Sequence, residues 1–233
     1  MRTLLLSLFV FPGMVLAAAA GYRIDRSPHD PRDVVSLQAG ARTYVNYCLG
    51  CHSLQYMRYQ GLTELGISEA QVKEHLLFTA EKIGEPIRTT GVEPKTAKGW
   101  FGVPPPDLSV ISRSRGADWL YTYLRTFYRD PKTVTGWNNA VFPNVAMPHA
   151  LWTLQGERGW DPKEHRLTEI SQGLLSPVEY DRTVRDLVNF LVYVGEPAAE
   201  SRKAIGIVVL FVLLGVLFPL TYWLKKEFWK DVK

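Results

Sequence analysis

Cys48, Leu49, Gly50, Cys51 and His52 read C-x-x-C-H, and the 233-residue chain holds two cysteines in all. Two thiols at this spacing followed at once by an imidazole can do one of three things: add to the vinyl groups of a heme and carry the imidazole onto its iron, cycle as a dithiol–disulfide pair, or hold two corners of a zinc site. A thioredoxin-like pair needs a preceding strand and a parallel βαβ context, and neither surrounds Cys48. A structural zinc site needs further ligands, and there is no third cysteine to supply one. On one helical turn the two sulfurs reach neighbouring edges of a macrocycle and the next residue projects over its centre. The motif therefore predicts one covalently attached heme c, bonded through Cys48 and Cys51, with His52 on the iron.

The second axial ligand has to come from a distant part of the chain, as a methionine or a histidine. Met57 is five residues after His52, and a span of at most about 18 Å would have to round the macrocycle's edge, so core packing is the favoured reading. Met147 stands in FPNVAMPH (Phe142 to His149), where Pro148 biases it towards an extended conformation that presents its side chain. Met147 is the expected ligand and His149 its nearest rival; His29, His75 and His165 read as solvated or structural. A thioether favours reduced iron and raises the potential, which suits a carrier late in an electron chain. Pro104, Pro105, Pro106 and Asp107 form a stiff turn with free carbonyls. One of these, Pro106 among them, is a candidate acceptor for the Nδ1 hydrogen of His52, and a plain rigid connection accounts for the same residues equally well. Arg113 and Arg115 follow as candidates for a heme propionate, against the ordinary reading of solvated arginines.

The elements that must position these groups read as short helices. Gln38 to Tyr47 leads directly into Cys48. Ser68 and Gln71 make a capping box for a helix expected through about Lys82, and Asp118 to Tyr128 repeats the apolar spacing with Leu120, Leu124 and Phe127. The clearest helix starts at Ser176, with Pro177 in its first turn and Glu179 closing a capping box, and stops at Gly195 and Pro197. Strand signals are sparse. The proline- and glycine-rich segments Gly84 to Pro106 and Pro131 to Pro148 are long for connections in a compact domain, and a heme gives such loops something to wrap.

Both ends of the chain address a membrane. Residues 1–20 carry Arg2, an apolar stretch and a closing run of alanines, the pattern of a signal peptide. Residues 204–224 run uncharged for 21 positions, enough at about 1.5 Å per residue to span a hydrocarbon core of about 30 Å. Arg202 and Lys203 precede this anchor and Lys225, Lys226, Lys230 and Lys233 follow it, which places residues 225–233 in the cytoplasm and residues 21–203 outside. The chain has 27 basic and 23 acidic residues; without Arg2 and the last nine residues the balance is 22 to 21. That leaves no basic stripe for nucleic acid.

Taken together, CLGCHSLQYMRY (Cys48 to Tyr59), WFGVPPPDLS (Trp100 to Ser109), Arg113 and Arg115, FPNVAMPH, and the tail from Arg202 resemble the cytochrome c1 family in a bacterial form. Members of that family are the heme subunits of quinol–cytochrome c reductase, the cytochrome bc1 complex. The order of the motifs carries the resemblance as much as the motifs do. It implies a mainly α fold, a class I cytochrome c-like heme domain of short helices and long loops, with one C-terminal transmembrane helix. It implies Cys48 and Cys51 as thioether sites, His52 and Met147 as axial ligands, Arg115 as a propionate contact and Arg113 as a further candidate. It also implies electron transfer from a Rieske iron-sulfur protein to a c-type cytochrome acceptor, with cytochrome b beside the anchor, in a dimeric complex of the inner membrane with the heme domain in the periplasm. The chain would then belong to an electron-transferring, proton-translocating enzyme and itself carry no acid, base or nucleophile. The alternatives are an anchored monoheme cytochrome serving another complex, such as a terminal oxidase or a denitrification reductase, and a heme-free disulfide oxidoreductase.

Overall fold

The computed structural model describes residues 22–231, so the leader expected at residues 1–20 lies outside them, as do the last two residues of the tail. The part of the chain before the long apolar helix is built around two helices far apart in sequence. Helix α1 (Val34–Tyr47) starts where the Asp33 carboxylate accepts the Ser36 amide. A further helix, α7 (Pro177–Gly195), starts from Ser176 with the full capping box to Glu179 and Pro177 in its first turn. The two cross at Gly40, where a Cβ atom would lie 2.0 Å from the Asp186 carbonyl oxygen and 2.6 Å from Phe190 Cβ. Only glycine permits that approach. Beside the crossing, Ser36 Oγ donates to Asp186 Oδ1 at 2.7 Å, and Asn189 Nδ2 donates to Ser36 Oγ at 3.0 Å and to the Asp30 carbonyl at 2.7 Å. Leu37, Tyr44, Val184, Leu187 and Phe190 fill the apolar part of the interface.

Between these two lie α2 (Glu69–His75), α3 (Pro94–Phe101), α4 (Ile111–Arg115), α5 (Ala117–Arg125) and α6 (Trp152–Gln155). Helix α5 rests on α7: the Tyr180 hydroxyl donates to the Leu124 carbonyl at 2.8 Å, and Arg125 grips Asp181 through Nε at 2.6 Å and Nη2 at 2.9 Å. The described residues also contain three two-stranded antiparallel sheets: β1 (Leu54–Arg58) with β2 (Pro86–Ile87), β3 (Phe127–Arg129) with β4 (Trp137–Asn139), and β5 (Gly156–Asp161) with β6 (Arg166–Gln172). The mainly α fold of short helices and long loops agrees with the sequence reading.

Two helices end earlier than their periodicity predicts. Helix α2 stops at His75, not near Lys82: Leu76 N and Leu77 N both donate to the Val72 carbonyl and close it. Farther on, Glu85 Oε1 accepts the amides of Glu81 and Lys82 at 3.2 and 2.8 Å in a turn that leads into β2. Helix α5 stops at Arg125, and Phe127, still buried, opens β3 instead. None of the three sheets was expected from the sparse strand signals: β1 to β4 are short, and the longer β5 and β6 are mostly polar, with a register shift between Glu157 and Arg158.

The anchor is a 30-residue helical run, Ala199–Phe228, long and apolar enough to cross a membrane. It comprises α8 (Ala199–Val212), a π-helical turn (Leu213–Leu217) and α9 (Phe218–Phe228). The wide turn has a cause in Pro219. Proline has no amide hydrogen and its ring crowds the carbonyl four residues back, here Gly215, so widening the preceding turn lets the helix continue.

Gly40→Ala is expected to lower stability by about 2 kcal/mol through overpacking at the α1–α7 crossing. Urea denaturation followed by far-ultraviolet circular dichroism measures this; an unchanged midpoint would contradict the crossing.

Candidate heme site

Helix α1 hands its last turn straight to the motif. Cys48 N and Leu49 N donate to the Tyr44 carbonyl at 2.8 and 3.0 Å, and Cys51 N and His52 N donate to the Cys48 carbonyl at 3.0 and 2.8 Å. The buried Tyr44 hydroxyl then ties the end of the motif back to the helix, donating to the His52 carbonyl at 2.6 Å. A loop closes over the motif from the other side. Thr89 Oγ1 donates to the Gly50 carbonyl at 2.9 Å, and Gly91 comes so near that a Cβ there would lie 2.3 Å from the Gly50 oxygen.

Both thiols are free. Burial, with Cys51 adding to it, pushes the Cys48 thiol up to about 12. A thiol so far from ionising is a poor partner for disulfide exchange, which weighs against a redox pair. His52 is 9% exposed, and its Nδ1 lies 2.7 Å from the Pro106 carbonyl oxygen. The carbonyl can only accept, so Nδ1 carries the hydrogen and Nε2 keeps its lone pair. Burial holds this imidazole below its ordinary pKa, against the opposing pull of the Pro106 carbonyl and the Asp107 carboxylate. The neutral form is the one that binds a metal. Asp107 in turn fixes the proline turn to the strand after the motif, accepting the Gln55 amide at 3.0 Å and the Ser109 amide at 2.8 Å.

Met147 is half-buried, and its Sδ accepts the Tyr123 hydroxyl at 3.4 Å. Two buried asparagines build the loop that presents it. Asn139 Oδ1 accepts the Val141 and Phe142 amides at 2.9 and 3.1 Å, while its Nδ2 donates to the Tyr123 carbonyl at 2.7 Å. Asn138 Oδ1 accepts the Asn144 amide at 2.8 Å and holds Asn144 at φ 61°, a left-handed conformation that asparagine tolerates. His149 is taken up in the core: it is 2% exposed, its Nε2 lies 2.7 Å from Gln155 Oε1, and its ring stacks on Phe127 at 4.8 Å. Burial pushes its pKa down to about 4. Met57 is likewise buried, at 6% exposure.

Arg115 comes to the Met147 loop, its guanidinium 5.1 Å from the Trp119 ring and 5.7 Å from that of Phe142. Arg113 points elsewhere, 3.6 Å from Glu196 at the end of α7. The sequence reading did not single out Tyr44, Thr89, Tyr123, Asn138 or Asn139. The consecutive asparagines between an apolar segment and FPNVAMPH were the one available signal, since such side chains commonly hold loop amides.

The residues present fit a heme c. Two free thiols and an imidazole with its Nε2 lone pair available share one turn, and a thioether is presented from a separately braced loop beside Trp119, Tyr123 and Phe142. With the long apolar helix Ala199–Phe228 after it, this defines a membrane-anchored monoheme c-type cytochrome. Comparison with known proteins narrows the class: the chain belongs to the Cytochrome C1 family, whose sequence model matches residues 26–232. It is 46% identical to cytochrome c1 of Allochromatium vinosum over the full length of both chains. It is 47% identical to a protein of Nitrosomonas europaea named ammonia monooxygenase gamma subunit, over 99% of this chain and 98% of that one. A Bradyrhizobium diazoefficiens protein named cytochrome b/c1 is 26% identical over 88% of this chain and 34% of its own length. The cofactor of this chain is accordingly heme c.

Asn139→Ala is expected to cost about 1–3 kcal/mol, since it strands the Val141 and Phe142 amides. The measure is thermal unfolding of the heme-loaded protein; a loss below a few tenths of a kcal/mol would mean that Asn139 does not brace the loop.

Proposed function

We propose that this chain is the heme subunit of a quinol–cytochrome c reductase, taking electrons from a Rieske iron-sulfur protein and passing them to a c-type cytochrome. The observation that carries the reading is the site's double anchorage, with His52 fastened through Nδ1 to Pro106 on one side and Met147 presented by the Asn138–Asn139 loop on the other. Cytochrome b lies beside the anchor in this reading, in a dimeric complex. The relative named cytochrome b/c1, in which a segment like this chain makes up about a third of the length, supports that neighbour.

The heme supplies a one-electron iron couple when bound. The protein's residues do the rest. Cys48 and Cys51 would hold the group covalently, and His52 and Met147 would supply its two iron ligands. Pro106 keeps His52 in the ligating tautomer, a restraint that also raises its basicity towards the iron. Arg115, resting on Trp119 and Phe142, would pair with a propionate, with Arg113 as a second candidate that would first have to leave Glu196. No proton transfer or nucleophile is required. Residues 1–20 are a signal peptide, residues 21–203 form a periplasmic heme domain, residues 204–224 cross the inner membrane, and residues 225–233 remain in the cytoplasm, as the lysine excess after the anchor supports.

The name of the Nitrosomonas europaea relative favours a second assembly, one containing a monooxygenase. Either assembly would ask the same one-electron service of this chain, and the two differ in what travels with it. Extraction in mild detergent is expected to bring cytochrome b and a Rieske protein down with this chain; recovery of monooxygenase subunits in their place overturns the first reading. Met147→Leu is expected to lower the reduction midpoint sharply and abolish the sulfur-to-iron charge-transfer band. Retention of both in a redox titration would remove Met147 from the iron.

A further inference from the structure

The buried phenol of Tyr123 has no place in the assignments above, although its hydroxyl donates to Met147 Sδ at 3.4 Å. Its ring is held on both sides by residues four positions away on the same chain. Trp119 stacks on it at 4.7 Å with 11° between the planes, and Phe127 meets it edge-on at 5.0 Å and 67°. Its carbonyl is fixed by Asn139 Nδ2, the same asparagine whose Oδ1 holds the Val141 and Phe142 amides of the methionine loop. Donor and acceptor thus lie on segments joined through one buried asparagine.

We infer that Tyr123 is a positioning residue for the axial sulfur, occupying one lone pair of Met147 Sδ so that the other is the one offered to iron. The inference rests on Met147 being an axial ligand, as proposed above. A thioether sulfur has two lone pairs, and once a metal takes one of them the sulfur becomes stereogenic. Exchange between the two configurations requires the lone pairs to swap roles. A hydroxyl fixed on one side permits one configuration and opposes the other. The same hydrogen bond withdraws electron density from the sulfur, weakens its donation to ferric iron more than to ferrous iron, and so raises the potential.

The test compares Tyr123→Phe, which deletes only the oxygen, with Met147→Leu in the heme-loaded full-length chain. In Tyr123→Phe the charge-transfer band is expected to persist, the midpoint to shift downward, and the Met147 methyl resonance of the reduced protein to move or split as the second configuration becomes populated. An unchanged midpoint and methyl resonance in Tyr123→Phe, alongside loss of the band in Met147→Leu, overturns the role of Tyr123 while leaving the axial assignment standing. A band that survives Met147→Leu overturns the axial assignment and this inference with it. Should Tyr123→Phe fail to accumulate, exchange of the unaltered protein into D2O is expected to shift the iron–sulfur stretching band, and an unshifted band counts against the hydrogen bond.

Discussion

The approach of α1 to α7 at Gly40 decides where everything else in the heme domain can go. Helix α1 ends in the C-x-x-C-H turn, so its axial position and rotation set where the two thiols and His52 lie. Helix α7 carries Tyr180 and Asp181, which hold α5 through Leu124 and Arg125, and α5 carries Tyr123, whose backbone shares Asn139 with the methionine loop. The two halves of the proposed site are therefore referred to one another through the α1–α7 crossing, although 95 residues separate His52 from Met147. A side chain at Gly40 would push the halves apart from a distance at which it touches neither.

Each half is then stiffened locally, and by different means. On the histidine side rigidity comes from prolines that need no internal amide partners and from Asp107, which binds two amides at once. On the methionine side it comes from side-chain amides that replace backbone pairing in a loop with none of its own. Buried asparagines of this kind leave unmet backbone groups when removed, which makes the loop dependent on them. Redox proteins gain from such rigidity, because a site that does not rearrange between oxidation states exchanges electrons without a structural barrier.

The parts of this arrangement that were legible in the sequence are those whose partners are close by along the chain. The C-x-x-C-H turn and the capping boxes at Ser68 and Ser176 are complete within five residues or fewer, and each formed as expected. The proline turn stayed ambiguous because its partner, His52, lies 54 positions away. Apolar spacing continued past the true helix ends, as it does beyond α2, where the amides of Glu81 and Lys82 go to the Glu85 carboxylate in a turn. Tyr123 did not stand out within the Asp118 to Tyr128 segment, since nothing in its neighbourhood reveals that its hydroxyl meets a sulfur 24 positions later. Local chemistry is written contiguously, whereas tertiary hydrogen bonds leave no periodic trace.

The π-helical turn at Leu213–Leu217 has a geometric consequence for the anchor. Such a turn accommodates one residue more than a regular turn, and at 3.6 residues per turn one residue is about 100° of azimuth. Trp223 and the other side chains beyond Pro219 therefore face a direction about a quarter-circle away from the one a straight helical wheel through residues 204–224 would assign. The two ends of the anchor consequently address different sectors of the bilayer, and a neighbouring helix lying along the first half would be met by a different stripe of side chains in the second.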